Sequence, residues 1–465
     1  MKRKRLKGAF SLTLLPLLLI PFLTAEAAAL ESAKIPDRVK TAAKKMVDQG
    51  MVTGLSMVYL EKGKAPVYLN LGHTTKKGFA ITERSRFEIG SITKVFTGLE
   101  TAYLIEKNKL SLKDTVGSLL PDSVSQKFAE NVQKISLKDL TTHTSGLPRM
   151  PQNFKPADVN NPYVDYTAEQ LLAFLGTTDL ATSGKHAYSN AGVGLLGYLL
   201  TQHEKAEDPG ALLQRDLLIP LGMGSTSYTD LESLKITALP HSYGTAVSPW
   251  DFSYSTAGAG GLRSSTEDML KFLQAQMSPE EQKLPTALRQ AIQRSQQVLY
   301  KNENLKMGYG WFQIDFKDQP LYFHGGATGG FRSFMGFDAK KERGVVILSN
   351  DVQSVEPLGL ALLNDRFELP EIKVERLSPE VLKAYEGRYQ LAPGMVFEVR
   401  QENGYLMVKL GEQPTLRVVP AGKHRFAYKE VQASLEFQFD ETGQITGLIL
   451  HQNGHHKAPY IGPVS

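Results

Sequence analysis

Apolar residues recur along this chain in two periods. Ile92, Val95, Phe96, Leu99, Ala102 and Ile105 stand three and four apart, which predicts a helix with one face in a core. Val39, Ala42, Ala43 and Met46 repeat that spacing and stop at Gly50, and residues 193–200 form a third, almost wholly apolar helix. Residues 54–60 and 65–71 instead read as strands turned about Glu61-Lys62-Gly63-Lys64, a hairpin. Residues 308–312, 321–337 and 344–350 read as consecutive antiparallel strands of one central sheet, with glycines that let another backbone or a ligand come close. The order helix, hairpin, helix, sheet predicts an α+β fold. After residue 377 the pattern changes to short alternating runs at 385–389, 395–399, 405–410, 416–420, 426–429, 435–439 and 445–452. Turns such as Glu402-Asn403-Gly404 join them into a small antiparallel β-barrel.

With 465 residues and 42% hydrophobic content, more than one domain is expected. Residues 1–29 carry Lys2, Arg3, Lys4, Arg5 and Lys7, then an apolar run, then small residues, which is the pattern of an export signal. The run is about fifteen residues and is broken by Pro16 and Pro21, short of the roughly twenty needed to span a bilayer. Cleavage is therefore expected, giving a periplasmic or secreted protein that is not integral to a membrane. The expected layout is 1–29 signal peptide, 30–365 first domain, 366–376 linker and 377–465 barrel. The formal charge of +5 lies mostly in the leader, whose net +4 leaves +1 for the rest, and no basic cluster interleaved with aromatics suggests nucleic acid. There is no cysteine, hence no disulfide framework and no thiolate metal site.

Chemistry concentrates at Gly90-Ser91-Ile92-Thr93-Lys94. Residues three apart on a helix are neighbours, so the Lys94 amine is placed beside the Ser91 hydroxyl. A serine attacks carbonyls poorly until its proton is removed, and a partly desolvated lysine can remove it. The helix start adds a positive dipole end near a developing oxyanion. Further on, Tyr188-Ser189-Asn190 offers a phenol able to relay a proton and an amide able to orient another amide. His143, at a helix end, is read as a structural hydrogen-bonder. Gly192-Val193-Gly194-Leu195-Leu196-Gly197 formally matches a dinucleotide fingerprint, but no buried strand precedes it, and its glycines suit close helix packing better. Residues 254–269 are read as a structural glycine-rich turn with a capped helix behind it, Ser265 or Thr266 being the cap, and His451, His455 and His456 as solvated histidines. Neither a metal nor a cofactor is expected.

With Ser91-x-x-Lys94, Tyr188-Ser189-Asn190 and His324-Gly325-Gly326 in this order, residues 35–355 resemble the penicillin-recognising serine hydrolases. The nearest group is the class C β-lactamase-like branch with its DD-peptidases, D-aminopeptidases and esterases. The resemblance implies a β-lactamase-like fold: an antiparallel sheet flanked by helices, plus a helical subdomain. It implies Ser91 as nucleophile, Lys94 as proton acceptor, Tyr188 as proton carrier to the leaving group and Asn190 as substrate-amide binder. His324, Gly326 and Ala327 fall on the substrate-binding strand, and the N–H groups of Ser91 and Ala327 on the oxyanion hole. His324-Gly325-Gly326 stands where β-lactamases carry Lys-Thr-Gly or Lys-Ser-Gly, and Met150 where they tend to carry glutamine. Efficient penicillin hydrolysis is therefore not expected. A peptidase acting on D-amino-acid peptides of peptidoglycan or related amides is expected instead, with a carboxylesterase, a weak β-lactamase, or a non-catalytic binder of wall fragments or penicillins as alternatives. The tail resembles lipocalin-like C-terminal modules, for which covering the active-site mouth or oligomerisation is implied.

Overall fold

Strand β1 (Gly54–Glu61) and β2 (Val67–Gly72) form the expected hairpin, with Leu55 opposite Leu71 and Tyr59 opposite Val67. Seven of the eight β1 residues are buried, because the strand lies between two helical layers and both of its faces meet a core. The computed structural model describes residues 30–464 except 179, 181–183, 230–235, 243, 317–318, 341, 371–376, 423, 429–432 and 453. The expected signal peptide and the 371–376 part of the expected linker lie outside the described residues. The remaining strands of the first unit are β3 (Arg86–Glu88), β4 (His241–Ser242), β5 (Thr245–Ala246), β6 (Arg263–Ser265), β7 (Tyr300–Lys301) and β8 (Lys306–Met307). They are followed by β9 (Phe312–Phe316), β10 (Gln319–Ala327), β11 (Arg332–Asp338) and β12 (Arg343–Ser349).

An eight-stranded sheet runs in the order β2-β1-β12-β11-β10-β9-β8-β7, and β3 pairs with β6 and β4 with β5 as two small separate ribbons. On one face, Val58, Val346 and Met335 join a core with the helices Thr93–Glu106, Thr266–Met277 and Thr286–Ser295. On the other, Leu55, Met57, Val345 and Phe334 pack against the helices Asp37–Asp48 and Glu356–Leu363. A third core gathers the short helices between residues 116 and 141 around the helix Asn190–His203, forming the helical subdomain.

Three departures from the sequence reading have local causes. The strand expected over 308–312 begins only at Phe312, since residues 308–310 turn tightly beneath the helix Thr93–Glu106. There Gly310 has φ +82°, and a Cβ on it would lie 2.5 Å from the Lys94 carbonyl oxygen, while one on Gly98 would lie 2.2 Å from the Tyr309 oxygen. Gly310→Ala combines a left-handed backbone with a backbone clash, so a loss of about 3 kcal/mol in denaturant-induced unfolding is expected. Second, residues 257–260 form a short helix rather than a turn, with a Gly258 Cβ position only 3.0 Å from the Gly197 Cα. Third, the barrel between Gly387 and Gly462 closes with an eighth strand, His455–Gly462, which pairs back onto the first through Tyr389 and Tyr460. That strand is mostly exposed and carries no clear apolar alternation, so its sequence hides it. Tyr389, Phe397, Leu406, Phe426 and Phe437 give the barrel its own core.

Candidate active site

Backbone contact fixes the centre of the site. Strand β10 pairs with β9 only as far as Phe323 opposite Phe312, so residues 324–327 have β11 on one side and an open edge on the other. A Cβ on Gly326 would lie 2.1 Å from the Ile89 carbonyl oxygen, and one on Gly90, at φ +51°, would lie 2.7 Å from the Ala327 nitrogen. Glycine at both positions lets the strand press against the turn that carries Ser91, and Ser333 Oγ locks the contact by donating to Ile89 O at 2.8 Å. The N–H groups of Ser91 and Ala327 thus belong to two segments in direct contact. Ser91 sits in a single 3₁₀ turn, Gly90–Ile92, that runs straight into the helix Thr93–Glu106.

Lys94 is 1% exposed, so burial is complete where the sequence suggested it would be partial. Its Nζ stands 3.0 Å from Ser91 Oγ, donates to the Ala259 carbonyl at 2.5 Å, and lies 4.9 Å from the centre of the Tyr188 ring. Burial, helped by the charge of Arg149, drives its pKa well below the ordinary lysine value. Burial therefore favours the uncharged form of the amine, the form that can accept a proton. The short helix that supplies Ala259 has a direct role in this, which glycine-rich composition alone did not signal.

Tyr188 is raised above the usual phenol value by burial, an effect partly countered by its hydrogen bond to Ser91 and by Arg149. Its ring packs between His143, at 4.5 Å, and Phe312, at 6.4 Å. His143 adopts φ +58°, accepts the Ser189 N–H on Nδ1 at 3.2 Å, and is kept neutral by burial and by Lys94. It positions the Tyr188-Ser189-Asn190 segment, as the sequence suggested. Asn190 opens the helix Asn190–His203, and its Oδ1 is buried with no hydrogen-bond partner among the described residues, an acceptor left for another N–H. His324 is 2% exposed, with Nδ1 against the Gly325 carbonyl at 2.6 Å, and burial together with Lys94 lowers its pKa to about 3. A neutral imidazole stands where the resemblance would place a cation.

Ser91, Arg149, Tyr188, His324, Gly326 and Ala327 line one cleft of about 470 Å³, and Lys94 touches Ser91 from below; Asn190 flanks the cleft beside Met150. Sequence reasoning missed Arg149, whose guanidinium lies 5.3 Å over the Tyr188 ring, and Phe312 and Glu356 on the cleft wall. Nothing but position marks them, because each belongs to an element with an ordinary pattern. A second cleft of about 590 Å³ shares Arg332 with the first, and is lined by Trp250, Thr328 and Gly329 together with Pro414, Thr415 and Leu416 from the barrel.

Three residues before the serine, Glu88 lies buried with its Oε1 accepting the Trp250 N–H at 3.0 Å and forming an ion pair with Arg263 at 3.8 Å. Burial is the main cause that lifts its pKa from the ordinary 4.5 to about 7. A carboxyl whose folded value exceeds its unfolded one contributes stability below about 4.5 that is lost as pH rises through about 7. Thermal melts of Glu88→Gln across pH 4 to 8 are expected to lack that decline.

Among known proteins, the chain matches the Beta-lactamase family over residues 39–366, and a domain of unknown function, DUF3471, over residues 372–458. It is 27% identical to a beta-lactamase of Pseudomonas fluorescens over 67% of this chain and 92% of that one. It is also 27% identical to Protein flp of Staphylococcus aureus strain COL, over 65% of this chain and 61% of that longer protein. Among solved structures, a class C beta-lactamase superposes with a TM-score of 0.62 at 22% identity, covering 72% of this chain and 97% of that one. The class C enzyme of Rhodobacter sphaeroides gives 0.60 at 19%, covering 69% and 96%. The fold is that of class C β-lactamases followed by a closed eight-stranded barrel, and with two thirds of its length matched the chain belongs to the β-lactamase-like serine hydrolase family.

Proposed function

We propose that this protein is an exported hydrolase of esters and amides whose leaving group carries no carboxylate, an esterase or D-aminopeptidase type rather than a β-lactamase or DD-carboxypeptidase. The observation that carries the reading is His324-Gly325. The imidazole is uncharged, with a pKa near 3, and glycine follows it where a hydroxyl would help hold an anion. The export part rests on the leader pattern of residues 1–29. In the mechanism, Ser91 Oγ attacks the substrate carbonyl carbon while its proton passes to Lys94 Nζ. The N–H groups of Ser91 and Ala327 receive the oxyanion. The tetrahedral adduct collapses as Tyr188 delivers a proton to the departing oxygen or nitrogen, leaving an acyl ester on Ser91. Water, deprotonated by the same groups, then attacks that ester and releases the acid and the free serine. Asn190 Oδ1 accepts an amide N–H of the acyl part.

Intact-protein mass after incubation with p-nitrophenyl acetate and, separately, with a fluorescent penicillin tests this. Ester turnover through an acetyl adduct that requires Ser91, with no persistent penicillin adduct, is the expected result. A stable penicillin adduct on Ser91 would instead favour a penicillin-binding peptidase, to be followed with D-Ala-D-Ala substrates.

A further inference from the structure

We infer that Glu356 forms a cation subsite on the leaving-group side of the cleft, so that the enzyme prefers substrates whose departing alcohol or amine bears a positive charge. The inference rests on the serine hydrolase reading above and names the substrate class within it. Glu356 opens the helix Glu356–Leu363 and lines the same cleft as Ser91. Its Oε2 lies 3.6 Å from where a Cβ on Gly325 would stand, which is contact distance and places the carboxylate against the strand at that residue. The cleft wall there includes the apolar Phe312, Phe323 and Val355, with Ser354 beside Glu356. Among the described residues Glu356 has no ion-pair partner; its side chain is solvent-exposed at the cleft mouth, and partial desolvation there raises its pKa with no neighbouring charge contributing. An acid in the first turn of a helix is favoured by the helix dipole, which accounts for a carboxylate at this position but not for its place in the cleft.

The side of the scissile bond follows from Tyr188. The residue that protonates the leaving group packs on Phe312, and Phe312 lies 5.0 Å from the ring of His324, the neighbour of Gly325. The departing group is thus directed along β10 from Ala327 towards Gly325 and Glu356, about 7 Å for two residues of extended strand. The other direction leads to Arg332, which pairs with Ala327 across β10 and β11 and donates to the Thr328 and Phe331 carbonyls at 3.0 and 2.9 Å. Along the strand, then, the carboxylate of Glu356 stands at the leaving end and Arg332 at the acyl end, while Arg149 over the Tyr188 ring is a second cation of the cleft.

Three phenyl acetates that differ only at the meta position, with trimethylammonium, hydrogen or carboxylate, test the assignment. The expected order of kcat/KM is cation, neutral, anion. In Glu356→Gln the ratio between the cationic and anionic esters is expected to fall about tenfold, and in Glu356→Lys to invert. A ratio is read within one preparation, so partial misfolding cancels. Binding of phenyltrimethylammonium and of benzoate, measured by calorimetry, makes the same comparison without turnover. If no ester reacts through Ser91, the hydrolase reading falls while the calorimetry still judges the subsite. A charge preference that survives Glu356→Gln, or a native enzyme that favours the carboxylate, overturns the inference.

Discussion

Replacing Ser91 with alanine is expected to lower turnover of an activated ester by about a million-fold, the scale seen when a hydrolase loses its nucleophile. The hydroxyl stands 3.0 Å from an amine whose burial favours its proton-accepting form, and the turn that carries it is pressed against the strand bearing Ala327. Alanine leaves that contact, the cleft and the fold in place, because none of the clamping bonds runs through Oγ. The Ser333 hydroxyl holds Ile89, and Lys94 keeps its bond to Ala259. What survives is carbonyl polarisation by the two N–H groups, which by itself gives a small residual rate. Stopped-flow kinetics with p-nitrophenyl acetate, together with loss of the acetyl adduct in the mass spectrum, checks it. Turnover within tenfold of the native protein would remove Ser91 from the mechanism.

Lys94→Met is expected to have opposite effects on activity and stability. Activity falls by about ten-thousandfold, because the proton acceptor is gone while the oxyanion donors remain. Stability at neutral pH rises, by about 1–2 kcal/mol, since methionine has nearly the same length and no charge to desolvate. The sign follows from the depressed pKa of the buried amine. A folded value below the ordinary 10.5 means the group's stability contribution is present above 10.5 and is lost as pH falls towards the depressed value. At pH 7 the lysine is therefore a liability that the site retains for chemistry. Melting curves should show the variant ahead of the native protein at pH 7 and the gap narrowing towards pH 10. A variant less stable at pH 7 would mean that the bond to Ala259 outweighs the desolvation.

Much of the site was legible because its motifs are local. Ser91 and Lys94 lie one helical turn apart, and Tyr188 and Asn190 flank a helix cap, so spacing alone sets each pair side by side. That these two pairs and the 324–327 strand come together was carried by resemblance, since their contacts cross more than ninety residues. What stayed hidden depends on tertiary placement. The Ala259 carbonyl is a backbone atom with no sequence signature, Arg149 is one more cation in a polar loop, and Glu356 looks like an ordinary acid opening a helix. In the fold, alternation found both strands of the first hairpin and seven barrel strands, and failed at His455–Gly462, whose polar exposed run obeys no period. It also failed at 308–311, where steric demands of the helix above decide the backbone.

The order of the central sheet has a consequence for how the chain acquires its structure. Strand β1 is flanked by β2 and β12, with Leu55 opposite Ser349, so the first strand made waits for the last strand of its sheet. Pairing over such a distance must close a long loop before any ladder bond rewards it, which slows folding. The helical subdomain and the barrel are assembled from shorter stretches of chain, the barrel's one long pairing being its closure of Tyr389 onto Tyr460, and they wait less. A newly made chain therefore acquires local helices early and its sheet late. The cleft, which needs β10 seated against the serine turn, is completed with the sheet, so hydrolytic activity should appear in step with the slowest phase of refolding.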